Sequence, residues 1–487
     1  MEYLIEGRDP ASVFRFFEEI CAIPHPSYHE ETIADYLVDF AKSRGLDYVR
    51  DELHNVLICK PATKGMENVA PILFQGHHDM VCEKNGDVEH DFLNDPLKLF
   101  LDGNLLGAVG TTLGGDDGIA VAMMLSILDG EIAAHPAVEC LFTVSEEVGL
   151  NGAHGFDYSY IRARRMINMD SEELGVITAG CAGGVRSELT MTPVRVPFHE
   201  GMGIPMRVTV KGLMGGHSGC DIHTGRANAN KLMGRLLSMP AVEGWTVNIV
   251  SLSGGSKDNA IPRECEAVIV VSHPECYKQI LYMTEMIRGE LVREDAGFSV
   301  SLEEVSNPNT MLSDEDSARA IAILSCAANG VLAMNKDEQG LVEYSRNLGV
   351  VRTDAETGEI TFVFSSRSAT ESRLDASIAE LDALAAITGC RTHHHSRYPG
   401  WRYAPASAVR DAYMEAYRDV TGEDARIEVI HAGLECGIIY SKLPDMDIIS
   451  IGPAMYDIHS PMERLDLASV EVFWRTVVRV VEILSKN

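Results

Sequence analysis

Apolar and polar residues recur along the chain with different periods, and the periods divide it into regions. Near the start, Val13, Phe14, Phe17 and Ile20 fall at helical spacing, with Asp9 or Ser12 available as N-cap and Pro24 beyond the end. A second amphipathic helix is expected over residues 32–44, closed by Gly45, and an all-apolar one over about 118–128. Residues 55–59 and 72–75 are short apolar runs that read as buried strands. Strand and helix signals go on alternating to about Ser187, which implies a mostly parallel sheet covered by helices. The texture then changes. Met206-Arg207-Val208-Thr209-Val210-Lys211 alternates with period two, and residues 247–252, 267–271 and 360–364 do the same. Helices are expected between them over 227–237 and 277–293, with a further one over 313–329. Four strands and two helices would make an α+β module. The polar stretch His393-His394-His395-Ser396-Arg397-Tyr398-Pro399-Gly400 reads as the linker out of it, and from Ser407 the alternation resumes. The expected organisation is an α/β domain built from residues 1–187 and 397–487 around a mixed, mostly parallel sheet, with an α+β domain, 188–396, inserted between. A chain of 487 residues is too long for one ordinary core, which agrees.

The expected strands end in chemistry. Residues 71–75 run into Gly76-His77-His78-Asp79, residues 138–144 into Ser145-Glu146-Glu147, and residues 165–169 into Asp170. Residues 448–452 lead to His459-Ser460-Pro461, and Asp116-Asp117 stand in a glycine-rich turn before the apolar helix. Open α/β sheets bind ligands beyond the carboxyl ends of their strands, so these groups point to one site. Two imidazoles and several carboxylates are donors for a hard-to-borderline metal such as zinc, and there are enough for two ions. In His77-x-Asp79 the carboxylate two residues on can orient the imidazole, while His78 would face away as a structural or supporting residue. Glu146 and Glu147 suit a division in which one ligates metal and the other handles the proton of a water. On spacing alone Asp116 and Asp117 compete for the place between two ions. Singly each feature is ordinary: a solvated turn, a surface acidic pair, a charged loop. The ordered set at successive strand ends is not.

Composition narrows the partners. A formal charge of −31 argues against nucleic acid or an anionic membrane, both of which need a basic face. The longest apolar run, around Ile119 to Leu128, is too short to span a bilayer. The first ten residues carry neither a basic region nor an apolar core, so no signal peptide is expected. Eleven scattered cysteines without CxxC spacing suggest reduced thiols and a cytoplasmic protein.

Gln75-Gly76-His77-His78-Asp79, Leu113-Gly114-Gly115-Asp116-Asp117-Gly118, Ser145-Glu146-Glu147-x-Gly149, Asn168-Met169-Asp170-Ser171-Glu172-Glu173 and His459-Ser460-Pro461 resemble the dinuclear zinc peptidases of the aminoacylase and carboxypeptidase superfamily. Gly180-Cys181-Ala182-Gly183-Gly184, Gly215-Gly216-His217-Ser218-Gly219, Tyr398-Pro399-Gly400-Trp401 and His431-Ala432-Gly433-Leu434-Glu435-Cys436-Gly437 are similar to its dipeptidase branch. The resemblance spans the chain in order. It implies a phosphorylase/hydrolase-like catalytic domain and an inserted lid through which two chains form a homodimer. It implies two Zn2+ per chain, replaceable by Mn2+ or Co2+, bridged by Asp116, with His77 and Asp170 on one ion and Glu147 and His459 on the other. Glu146 would then be the general base and Asp79 the partner of His77. His217 would stabilise an oxyanion, and Asn259, Arg367, Gly433 and Leu434 would hold the substrate. The family often has Asn where this chain has Asp117, and an Asp at position 170 looks dipeptidase-like. The implied reaction is hydrolysis of dipeptides with a free amino terminus, of Xaa-His type, the lid turning on hinges near residues 187–205 and 391–397. An N-acyl-amino-acid hydrolase with the same metals, or a non-catalytic peptide-binding homologue, are the alternatives. The His393–His395 triplet matches none of the family's ligands.

Overall fold

The computed structural model describes residues 3–291, 293–336 and 340–486, and its chain falls into two compact units. One comprises Met1–Cys181, Trp401–Val429 and Leu434–Asn487; the other comprises Ala182–Gly400 and Ile430–Gly433. The break expected at Ser187 falls inside the strand Gly183–Met191.

The first unit is built on an eight-stranded sheet among the described residues, in the order Asp47–Arg50, Val56–Lys60, Val138–Thr143, Ile72–His77, Arg165–Asn168, Asp447–Ser450, Val176–Cys181, Arg426–Ile430. The four central strands, from Val138–Thr143 to Asp447–Ser450, pair in parallel. Antiparallel pairs flank them on either side. The central strands are buried nearly throughout, as parallel strands covered on both faces must be. Helix Gly115–Asp129 is buried on every side, and Asp116 and Asp117 at its start keep non-helical backbone, so the regular helix begins at Gly118. The first helix, Ala11–Cys21, starts at Pro10 without a side-chain cap; the expected caps Asp9 and Ser12 do not serve. A small antiparallel sheet (Leu99–Asp102, Leu105–Ala108, Arg464–Asp466, Met455–Tyr456) fixes the segment 457–463 that carries His459.

The second unit is larger than the four-stranded module expected. Its described residues form a nine-stranded antiparallel sheet whose main path runs Ser299–Glu304, Ile204–Lys211, Cys265–Val271, Val247–Gly254, Val342–Thr353, Ile360–Ser368, Gly183–Met191, Arg391–Tyr398, with Gly330–Met334 pairing on Val342–Thr353. Helices Ala229–Val242, Glu275–Glu290, Asp314–Cys326 and Glu371–Thr388 accompany it, and Leu232, Met233, Leu236 and Leu237 of the first of these enter its core. The helix expected over 277–293 stops at Glu290, and Val292 lies outside the described residues. One reading is corrected: 391–398 is not a linker but an edge strand paired with Gly183–Met191. Its all-polar sequence hid it, because an edge strand holds its place by backbone hydrogen bonds and needs no apolar period.

Candidate metal centre

Three neighbouring strands of the first unit deliver their ends to one place. Ile72–His77 ends on His77, Val138–Thr143 is followed by Glu146 and Glu147, and Arg165–Asn168 is followed by Asp170. His77 Nε2 lies 3.1 Å from Asp116 Oδ1 and 3.6 Å from Asp170 Oδ1. His459 Nε2 lies 3.1 Å from Asp116 Oδ2 and 3.0 Å from Glu147 Oε1. His77, Asp116 and Asp170 form one set whose donor atoms lie within 4.8 Å of one another, and Asp116, Glu147 and His459 form a second. The two sets share only Asp116, one carboxylate oxygen facing each. That is the arrangement of a carboxylate between two cations, and imidazole with carboxylate suits zinc-like ions. A third set, His77 with Glu146 and Glu147, overlaps them.

Asp117 belongs to neither set. Its Oδ2 accepts from the backbone N–H of His77 at 3.2 Å, and its Oδ1 is buried without a partner. Gly76 makes this possible, since a Cβ there would sit 2.4 Å from Asp117 Oδ2. Burial, with Asp170 close by, pushes the Asp117 carboxyl well up.

The supporting contacts are specific. Asp79 Oδ1 accepts from the Glu146 N–H at 3.0 Å and lies 3.4 Å from His77 Nδ1, while its Oδ2 accepts from Ser27 Oγ at 2.8 Å. Burial works against the Asp79 carboxylate, yet His77, Ser27 and the Glu146 N–H hold its pKa at about 2. His77 Nδ1 is also 3.0 Å from the Asp79 carbonyl oxygen, which leaves Nε2 for a metal. His78 is buried with both ring nitrogens unpartnered, and burial lowers it to about 3.

Crowding of carboxylates and imidazoles shifts the acidity of the whole cluster. Burial raises Asp170 to about 8, with Asp116 and Glu435 adding to it against His77. Burial likewise lifts Glu146 well above the carboxylate range; His77 opposes this, and Asp170, Glu435 and Glu147 reinforce it. Hydrogen bonds to Asp116 and Glu147 raise His459 to about 10. Burial disfavours charge on His77, but Asp170, Asp116 and Asp79 hold it well above its usual value.

Three carboxylates escaped notice in the sequence. Glu463, 3% exposed, accepts from the backbone N–H groups of Leu113 (2.7 Å), Gly114 (3.2 Å), Gly115 (2.8 Å) and Asp116 (3.4 Å), and so shapes the loop that carries Asp116. Glu30 accepts from Ser145 N–H at 2.9 Å and Ser145 Oγ at 2.6 Å, just before Glu146. Glu435 is buried beneath the strand ends, where burial raises it to about 7. The only signal was for Glu435, which lies in the His431 to Gly437 motif.

The other expected residues, apart from Leu434, belong to the second unit. His217 Nδ1 accepts from the N–H groups of Gly219 (3.3 Å) and Cys220 (3.1 Å), which leaves Nε2–H as a donor. Burial and then Arg367 lower His217 below its usual value, so its ring is neutral near pH 7. The short strands Gly216–His217 and Ala260–Ile261 pair, which brings Asn259 beside His217, and the Asn259 carbonyl accepts from Ser218 N–H at 2.8 Å. Arg367 is 6% exposed and donates from Nη1 to Tyr398 Oη at 2.9 Å. His431 Nε2 and Ser345 Oγ are 2.7 Å apart, and burial with Arg367 and His217 lowers His431 to about 3. At Gly433 a Cβ would meet the Tyr398 ring at 2.7 Å, so a larger residue would have to displace that ring.

A family model described as a peptidase dimerisation domain matches residues 208–276, inside the second unit. The chain is 39% identical over 480 residues to the cytosol non-specific dipeptidase of Escherichia coli, covering 97% of each. The crystal structure of an aminoacylhistidine dipeptidase from Vibrio alginolyticus superposes with a TM-score of 0.93 at 38% identity, over 97% of this chain and 96% of that one. A tripeptidase from Staphylococcus aureus shares the fold alone, with a TM-score of 0.56 at 16% identity and 98% of each chain covered.

Proposed function

The chain belongs to the M20 peptidase family, alongside cytosol non-specific dipeptidase, and on that premise we propose that it hydrolyses dipeptides with a free amino terminus, Xaa-His dipeptides among them. The observation that carries the reading is Asp116, whose two oxygens each face a separate histidine–carboxylate set. His77, Asp116 and Asp170 would hold one Zn2+, and Asp116, Glu147 and His459 the other, with Mn2+ or Co2+ able to substitute. When bound, such ions supply Lewis-acid polarisation and make water a nucleophile at neutral pH.

The rest falls to the protein. Glu146, half-buried beside His77 and Glu147, takes the proton of the attacking water and delivers it to the departing amine. Asp79 keeps the His77 ring turned so that Nε2 faces the site, and its bond to the Glu146 backbone ties base and ligand together. His217 presents Nε2–H to the developing oxyanion in its neutral form, as a hydrogen-bond donor that keeps its proton. Arg367 and Asn259 hold the substrate carboxylate, with backbone groups at Gly433 and Leu434 as further contacts. The protein works in the cytoplasm as a homodimer joined through the second unit, to which the dimerisation-domain match belongs.

The test is hydrolysis by the purified protein of Xaa-His and other dipeptides beside N-acetyl amino acids, with metal content measured on the same sample. Dipeptide cleavage with about two ions per chain is expected. Cleavage of the acylated compounds alone would move the protein to the acylases, and metal binding without any cleavage would make it a binding protein.

A further inference from the structure

Glu435 is the first residue of helix Glu435–Lys442, and an acid there would ordinarily be put down to the helix dipole. Its side chain does something else. It is 1% exposed, and its Oε2 accepts hydrogen bonds from Gln75 Nε2 at 2.6 Å and from Thr143 Oγ1 at 2.7 Å. Gln75 Oε1 accepts from Asn168 Nδ2 at 2.7 Å, and Asn168 Oδ1 accepts from the Asp170 N–H at 3.4 Å. Gln75, Thr143 and Asn168 are all buried, and they stand on three adjacent parallel strands. Gln75 lies opposite Asn168 in the register, and Thr143 lies opposite His77. Each is followed within two to four residues by His77, by Glu146 and Glu147, or by Asp170.

We propose that Glu435 is a positioning residue for the metal centre, whose Oε2 ties the three strand ends together so that His77 and Asp170 face the same ion. The proposal rests on the metal-binding reading above. Parallel strands are joined by slanted backbone bonds that do not by themselves fix the side chains beyond their ends. A carboxylate oxygen that takes one donor from each of two strands, with the amide of Gln75 passing the constraint to a third, supplies that restraint. Groups that orient metal ligands in this way change affinity by about 10- to 100-fold when lost.

The full-length protein is stripped of metal with a chelator, then titrated with Zn2+ against a chromophoric chelator and with Co2+ by visible absorption, without substrate. Glu435→Ala removes the acceptor, whereas Glu435→Gln keeps an oxygen able to take both hydrogen bonds but carries no charge. Glu435→Ala is expected to weaken one ion by about 10-fold or more and to change its Co2+ spectrum. Glu435→Gln is expected to restore both to near the parent. Parent-like affinity and spectrum in Glu435→Ala overturn the proposal. So does a Glu435→Gln as damaged as the alanine variant, because charge and not hydrogen bonding would then be at work. If Glu435→Ala does not fold, Thr143→Val decides: a loss confined to one ion supports the proposal, and parent affinity overturns it. Dipeptide hydrolysis is measured separately. A parent that binds metal but cleaves nothing would end the hydrolase reading and leave this one standing.

Discussion

The two units treat histidine in opposite ways. In the first, His77 and His459 are raised above their usual value, His459 to about 10, because hydrogen bonds and attraction to neighbouring carboxylates favour the imidazolium, at His77 against burial. In the second, His217 and His431 are lowered, His431 to about 3, by burial beside Arg367. One cluster is short of positive charge and the other has a guanidinium to spare. The contrast separates two tasks: an acidic nest suits cations, and a neutral imidazole near a buried arginine suits a ligand with negative or developing negative charge.

That contrast can be broken at either end. The largest effect is expected from Glu146→Ala, which should keep its metal while kcat falls by about 10²- to 10⁴-fold; loss of metal in the same variant would make Glu146 a ligand. On the other side, Arg367→Ala should lower kcat/KM about 10- to 100-fold, mainly through KM, as for loss of a charge-assisted hydrogen bond. Arg367→Lys should not rescue it, since a point charge lacks the guanidinium fork. A fall in kcat at unchanged KM would show that Arg367 serves the reaction step and not the substrate carboxylate.

Metal affinity should follow pH with a definite sign. In the metal-free protein His459 titrates at about 10 and Asp170 at about 8, so both hold protons at pH 7. Each ion would need its own ligands deprotonated, Asp170 at one and His459 at the other, so binding releases protons and affinity rises between pH 6 and 8 by roughly 10-fold per pH unit for each proton displaced. Calorimetry in buffers of different ionisation enthalpy counts them, and a pH-independent affinity would contradict the acidic-nest picture. His431, by contrast, should stay neutral in NMR titrations well below the usual histidine range, and His217 should take up its proton below its usual value. The smallest effect is expected from Gly433→Ala. It crowds Tyr398 and costs about 1–3 kcal/mol of stability, with a KM rise below that of Arg367→Ala because Tyr398 holds Arg367.

The candidate ligands other than His459 were legible in the sequence because each closely follows an apolar strand or opens an apolar helix, whereas His459 sits in the loop between Met455–Tyr456 and Arg464–Asp466, nine residues beyond its strand. What the pattern could not do was choose between Asp116 and Asp117. Both sit in one turn, and only the folded chain shows Asp116 split between two histidines while Asp117 turns under Gly76. The roles of Glu463, which had no signal, and of Glu435, which had only its motif, were hidden for a related reason. Their partners lie roughly 350 residues away in sequence, and nothing in a residue's neighbours announces a bond made across that distance. The edge strand Arg391–Tyr398 was misread because its residues are polar throughout and its place depends on backbone pairing with Gly183–Met191.

By itself the sequence determined the periodicities, hence which segments are helix or strand, and the residue types at strand ends, hence the class of ion that could bind there. Tertiary structure alone decided which oxygen faces which imidazole, which carboxylates are buried together, and which histidines gain or lose basicity. The physical reason is range. Secondary structure follows from neighbours a few residues apart, whereas pKa and coordination depend on groups within a few ångströms, wherever along the chain they come from.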